Sequence, residues 1–149
     1  MKRRDSILLA LFAMVLLPGC GGSSGPATTD TSSTRFATLA EKIEFLERYV
    51  QFRRTYKDLD FEIDFRNGGS GRVPGPSEWD IQIVARVPSA EIPSWTQGLN
   101  PTDEPEIDWL DDLPGRIDRS GLSAWFGSGG RLVGVDEENA IVVYRNRAQ

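Results

Sequence analysis

The segment Leu59-Asp-Phe-Glu-Ile-Asp-Phe-Arg66 alternates between large apolar and charged side chains. Because successive side chains of a β-strand point to opposite faces, this alternation predicts a strand with one face in a core and the other in water. A second alternation runs from Trp79 to Val87. The two segments predict strands of an antiparallel sheet that is covered on one side.

An amphipathic helix is expected before these strands, from Thr38 to near Lys57. Its start is marked by Thr38-x-x-Glu41, which fits a capping box. Two apolar stripes at helical spacing follow: Leu39, Ile43, Leu46 and Val50 form one, and Phe45, Tyr49, Phe52 and Tyr56 form the other. So wide an apolar surface indicates a helix packed between a sheet and a loop. The alternative leaves the aromatic stripe to a partner, because Tyr and Phe are enriched at interfaces.

The C-terminal part of the chain completes the predicted sheet. Arg131–Val135 and Ala140–Arg145 flank a turn at Asp136–Asn139, as expected for a hairpin. A short helix is expected at Ser89–Trp95. We therefore predict an α+β fold, in which a mostly antiparallel sheet of about four strands packs against one long N-terminal amphipathic helix.

The N-terminal residues are expected to form an export signal rather than part of the fold. Lys2, Arg3 and Arg4 precede the uncharged apolar run Ile7–Leu17. Eleven residues make about 16 Å of helix, about half of a hydrocarbon core of roughly 30 Å. The run ends in Leu17-Pro-Gly-Cys20, which resembles the bacterial lipobox.

This resemblance implies a lipoprotein that is cleaved before Cys20 and held in the membrane by acyl chains on that residue. Gly21 stands where an Asp tends to retain lipoproteins in the inner membrane, so the expected location is the outer membrane, facing the periplasm. Residues 1–19 are then the signal peptide. Residues 20–34, rich in Gly, Ser and Thr, are expected to be a flexible tether, and 35–149 a single domain.

Charge and composition exclude several functions. The 149 residues include no His and one Cys, which excludes His-based nucleophilic triads, His-ligated zinc and an internal disulfide. Removal of residues 1–19 takes away three basic residues and Asp5, leaving 14 basic and 21 acidic side chains and a net charge of −7. Such a charge is repelled by nucleic acid, so no nucleic-acid partner is expected.

Enzymatic chemistry has few starting points in this chain. A Ser-Lys hydrolase is disfavoured because the only lysines after the signal peptide, Lys42 and Lys57, both fall in the predicted helix. Glu78 and Asp80 could contribute to a carboxylate pair, but a solvated strand face produces the same spacing. We therefore expect no catalytic residues and no cofactor.

Six acids within ten residues surround one tryptophan, and we call this stretch the acidic segment. Its members are Asp103, Glu104, Glu106, Asp108, Asp111 and Asp112, with Trp109 among them. Three interpretations remain open: a solvated loop, a calcium site, and a docking surface for a basic protein with Trp109 as a buried anchor. The EF-hand pattern is absent, and no metal is expected.

The twelve residues Asn67–Glu78 are more than a hairpin needs. Their glycines match no phosphate-binding pattern. The stiffer second half could present a binding loop or be merely tolerated, and its candidate binding residues are Arg72, Val73, Pro74, Gly75, Pro76 and Ser77.

Together these features favour a lipoprotein whose periplasmic domain binds another protein. Two forms are expected: an inhibitor or immunity-type lipoprotein that neutralises a basic partner, and an accessory subunit of an envelope complex. The alternative is a cell-wall glycan-binding protein or hydrolase that uses carboxylates and tryptophans.

Overall fold

The computed structural model describes residues 25–70, 75–103 and 105–148, and in them a seven-stranded antiparallel sheet dominates. Its order is β1-β2-β3-β7-β6-β5-β4. The strands are β1 (Thr29–Ser32), β2 (Asp58–Arg66), β3 (Glu78–Arg86), β4 (Asn100–Thr102), β5 (Ala124–Ser128), β6 (Arg131–Asp136) and β7 (Ile141–Ala148). Two short helices, α1 (Leu39–Leu46) and α2 (Ile92–Thr96), accompany the sheet.

The sheet is covered on both faces. The first core contains the inward side chains of β2 and β3, such as Phe61 and Ile83, and it is closed by residues of α1 and α2. The second core contains Val84, Ile141 and Val143, under a cover that includes Trp109. The unbroken apolar run at the start of β7 is the sequence sign of a strand buried on both sides.

The predicted long helix is wrong, although its start is confirmed. Thr38 and Glu41 form the capping box, but α1 ends at Leu46 instead of near Lys57. The aromatic residues beyond it reach the first core without a helix: the ring of Phe52 lies 5.3 Å from that of Trp95 and 5.4 Å from that of Tyr144. Tertiary packing thus accounts for a periodicity that resembles a helical stripe.

The predicted sheet of four strands is also wrong. The strands expected around Leu59–Arg66 and Trp79–Val87 and the C-terminal hairpin are present, but β1, β4 and β5 extend the sheet. β1 lies within residues 20–34, the segment that the sequence predicted to be a tether. An edge strand needs only backbone pairing, here to Glu62–Phe65 of β2, so its small polar side chains gave no strand signal.

Candidate functional site

The acidic segment folds over the second face of the sheet with its acids outward. Asp108–Asp112 is a 3-10 helix in which Trp109 is 3% exposed and packed in the second core. The carboxylates described in this segment are exposed: Asp103, Glu106, Asp108, Asp111 and Asp112. Glu104 lies outside the described residues. The surface that the segment offers to a partner therefore consists of carboxylates and the exposed side chain of Ile107, with the indole in the interior.

An arginine of the sheet supports this segment from below. Arg145 on β7 donates two hydrogen bonds to Asp80 on β3, from Nε to Oδ1 at 3.0 Å and from Nη2 to Oδ2 at 2.6 Å. Its guanidinium carbon lies 5.5 Å from the centre of a Trp109 ring. The bonds to Asp80, followed by the negative charges of Asp80, Asp108 and Asp112, raise the pKa of Arg145 despite its burial.

Beside this arginine the acidic segment meets the carboxylates of three strands, and together they line what we call the acidic cleft. Its volume is about 450 Å³, and its lining residues are Asp30, Glu62, Ile63, Asp64, Asp80, Gln82 and Asp112. None of these lining residues is Lys or Arg. Burial raises the pKa of the Glu62 carboxyl, and the charges of Asp30 and Asp112 raise it further against a hydrogen bond from Ser32.

Sequence reasoning missed most of the acidic cleft. The strand carboxylates were attributed to a solvated face, and Asp30 fell in the predicted tether. The available signal was the register of the two strands. Antiparallel pairing sets Asp64 opposite Asp80 and Glu62 opposite Gln82, so the polar positions of both strands share one face.

A buried ion cluster around Asp60 ties the sheet to its covers. Asp60, 0% exposed, accepts hydrogen bonds to Oδ1 from Lys42 Nζ at 2.6 Å, Arg116 Nη2 at 2.6 Å and Ser33 Oγ at 3.1 Å. Burial alone would raise the pKa of Asp60, but the bonds from Arg116, Lys42 and Ser33 outweigh it and hold that pKa below its ordinary value. Ser33 and Lys42 are themselves buried, whereas the side chain of Arg116 is 59% exposed. The cluster therefore links α1 and the segment that carries Arg116 to β2.

The predicted binding loop is only partly described. Arg72, Val73 and Pro74 lie outside the described residues, whereas Gly75 and Pro76 are exposed and Ser77 is half-buried. Two hydrogen bonds fasten this end of the loop: Gly75 N–H donates to Gly68 O at 2.8 Å, and Gly68 N–H donates to Ser77 Oγ at 3.3 Å.

The carboxylates that flank Trp79 are not arranged alike. Both oxygens of Asp80 are held by Arg145, whereas Glu78 is exposed at the start of β3. Asp64, Glu78 and Asp80 line a shallow opening at the end of the sheet. An engaged carboxylate such as Asp80 is poorly suited to transfer a proton.

Trp79 also contributes to an aromatic groove on the first face, beyond the end of α1. The groove has a volume of about 650 Å³. Its aromatic lining consists of Tyr49, Phe52, Phe65, Trp79 and Tyr144, and its polar rim includes Arg48, Gln51, Arg131 and Asn146. The sequence placed Tyr49 and Phe52 on a helix, which concealed this groove.

The remaining expectations concern metals, membranes and relatives. Within residues 25–70, 75–103 and 105–148, no three carboxylate or thiol side chains converge closely enough to hold a metal ion. The same part of the chain contains no helix long and apolar enough to cross a bilayer, and Cys20 lies outside it.

Comparison of the chain with models of protein families, with curated proteins and with solved structures gave no match.

Proposed function

We propose that this protein is an envelope lipoprotein, held through Cys20 in the outer membrane and facing the periplasm, whose domain binds a basic protein. The observation that supports the proposal is the gathering of carboxylates on one side of the sheet. The acidic segment and the acidic cleft share Asp112 and form one continuous surface, which we call the acidic face.

Electrostatics favours a basic partner for this face. The carboxylates of the acidic face repel one another, and repulsion between like charges raises the free energy of the folded chain. A basic surface placed on them reverses the sign of that interaction and steers the encounter. Three arginines, Arg131, Arg145 and Arg147, line an opening with Glu106, Asp108 and Asp112 and offset part of this charge. Two others, Arg48 and Arg54, contact aromatic rings of the first core.

The burial of Trp109 changes what the acidic face contributes to binding. Without an exposed indole, binding relies on charge and hydrogen bonds, and Trp109 serves to hold the carboxylates in place. Charge-dominated recognition gives rapid association with strong salt dependence. Both proposed forms, an inhibitor or immunity-type lipoprotein and an accessory subunit, are compatible with such recognition. An immunity-type protein is expected to be encoded beside its toxin.

Affinity capture from envelope extract tests the proposal. The full mature protein in mild detergent is expected to retain a basic protein that is released by salt. A variant with Asp108→Asn, Asp111→Asn and Asp112→Asn is expected to retain much less of it, while melting at the wild-type temperature. Retention of the same protein by both forms, at equal salt resistance, contradicts a role for the acidic face.

The aromatic groove supports the alternative function, binding of cell-wall glycan. Aromatic rings stack on sugar rings, and the side-chain amides of Gln51 and Asn146 can bond to hydroxyl groups. Sedimentation with purified cell wall distinguishes the two functions, because Trp79→Ala is expected to abolish glycan binding and to leave capture of a basic protein unchanged. Release of reducing sugar ends in that assay would indicate a hydrolase.

A further inference from the structure

Gln82 is an unusual constituent of the acidic cleft. It lies on β3 and is 8% exposed. Its Nε2 donates to Asp80 Oδ2 at 3.3 Å, which fixes the orientation of the amide, and its Oε1 has no hydrogen-bond partner. A buried acceptor without a donor is destabilising, and native structures contain few of them. Because this oxygen is itself buried, a donor that enters the acidic cleft would relieve this cost once the side chain of Gln82 turns towards it.

The carboxylates around Gln82 are incompletely neutralised. Asp80 is paired with Arg145, and Asp64 with the exposed Arg66 at 3.6 Å. Among the described residues, no ion pair is formed by the other carboxylates of the acidic cleft, which are Asp30, Glu62 and Asp112. The acidic cleft therefore combines an excess of negative charge, which the nearby Arg145 offsets only in part, with a neutral acceptor.

The arrangement favours a polyatomic cation over a metal ion. In the described part of the chain, carboxylates do not converge in threes as a metal would require. They are instead spread along a cleft of about 450 Å³, contributed by β1, β2, β3 and the 3-10 helix. An ammonium group has three donors and a guanidinium five, so either can bond to several separated oxygens at once.

The protein itself already holds one guanidinium at this place. Arg145 forms a bidentate pair with Asp80 and lies over the ring of Trp109, on the side of Asp80 towards β7. Glu62 and Gln82, opposite each other on β2 and β3, offer further oxygens in the acidic cleft. The local chemistry is thus suited to guanidinium and ammonium groups.

We infer that the acidic cleft is a subsite for a Lys or Arg side chain of the protein partner, with Gln82 Oε1 as neutral acceptor and Glu62 and Asp112 as charged acceptors. The inference rests on the proposed function and specifies the chemistry by which the partner is recognised. It gives Gln82 a role in specificity: its unpaired oxygen favours a ligand with N–H donors over an equally charged ligand without them.

The test uses short capped peptides as probes, tetra-arginine and tetra-lysine, with a peptide of four trimethyllysines as the donor-free cation. Binding to the full mature protein is followed by calorimetry and by amide chemical shifts. The first two peptides are expected to bind at least about tenfold more tightly than the third, because charge-assisted hydrogen bonds are lost. Equal affinity for all three peptides overturns the inference.

Variants locate the subsite. Asp112→Asn and Gln82→Leu are expected to weaken peptide binding by about five- to tenfold or more. Glu137→Gln is the control, since Glu137 is exposed between β6 and β7 and lies outside the acidic face, and a change below about twofold is expected. If Gln82→Leu fails to fold, the pair Asp112→Asn and Glu137→Gln still decides the test. Equal losses for Glu137→Gln and Asp112→Asn overturn the subsite.

Two further outcomes separate this inference from the proposed function. If a captured basic protein loses affinity equally on neutralisation of Asp111 or Asp112, the acidic face binds it without a subsite. If the peptides bind in the acidic cleft but no basic protein is captured, the subsite stands and the proposed partner is wrong.

Binding of spermidine as tightly as tetra-arginine would indicate a free polyamine and overturn the assignment to a protein side chain.

Discussion

Replacing Trp109 with alanine removes one of the two indoles of the second core. Trp109 is 3% exposed and packs with residues such as Leu113 and Val143. Truncation of a buried Trp costs about 3–5 kcal/mol of unfolding free energy, and loss of the stacking with Arg145 adds about 1 kcal/mol. The indole Nε1 is buried without a partner, so its removal returns about 1–3 kcal/mol. The expected net loss is about 3 kcal/mol.

Chemical denaturation followed by circular dichroism measures this loss, with two control variants. Trp109→Phe keeps most of the ring and removes the unpaired N–H, so it is expected to cost about 1 kcal/mol or less. Asp111→Asn, on the exposed side of the same 3-10 helix, is expected to change stability by less than about 0.5 kcal/mol.

The dissociation rate of a captured partner can refute the assignment of Trp109 to the core. If the indole is a core side chain, Trp109→Phe should leave the dissociation rate of a captured partner unchanged. A Trp109→Ala variant that melts with the wild type and releases its partner faster would show that the indole is a contact residue, and the reasoning from burial would then be wrong.

Three other predictions can be checked independently. Metabolic labelling with a fatty-acid analogue should mark the wild type and not Cys20→Ala; a labelled variant would refute lipidation at that residue. Asp60→Asn leaves Lys42 buried without its charge partner and should cost about 3–5 kcal/mol, whereas Arg48→Gln, at an exposed pair, should cost less than about 1 kcal/mol. The pKa of Asp60 is lowered in the folded state, so its contribution to the free energy of unfolding is present above the ordinary value of 3.8 and is lost as pH falls through the folded pKa. The unfolding free energy of Asp60→Asn should therefore depend less on pH below about 4 than that of the wild type. Finally, the melting temperature should be the same with and without chelator, and a rise of several degrees on adding calcium would indicate a metal site.

The strands were the most predictable part of the fold. Alternation over Leu59–Arg66 and Trp79–Val87 reflects a local rule, the period of two along a strand, and the structure places β2 and β3 there. The capping box at Thr38 is equally local and is present. Features of this kind can be read from sequence because the residues that determine them are adjacent in the chain.

The length of the helix and the coverage of the sheet could not be predicted in this way. Tyr49 and Phe52 continue a helical spacing, yet they pack against rings of β2 and β7 from a segment beyond α1. The short polar strand Thr29–Ser32 depends on an edge offered by β2. Both outcomes are determined by partners distant in sequence, which composition and periodicity do not reveal.

For the same reason, only part of the candidate site could be predicted from the sequence. The acids of the segment from Asp103 to Asp112 were evident as a cluster in sequence, and those described in it are exposed. The acidic cleft could not be predicted because it forms only when β1, β2 and β3 pair. The inward orientation of Trp109 could not be predicted because it depends on a second core that forms only when the cover has folded.

The salt dependence of association between the mature protein and its captured basic partner tests the central claim most directly. For the wild type, the association rate is expected to fall steeply as salt rises and the charges are screened. With Asp108, Asp111 and Asp112 changed to Asn, association at low salt should be at least several-fold slower and its salt dependence flatter. Unchanged association rates at low salt in a variant that melts with the wild type would contradict the claim that the acidic face binds the partner.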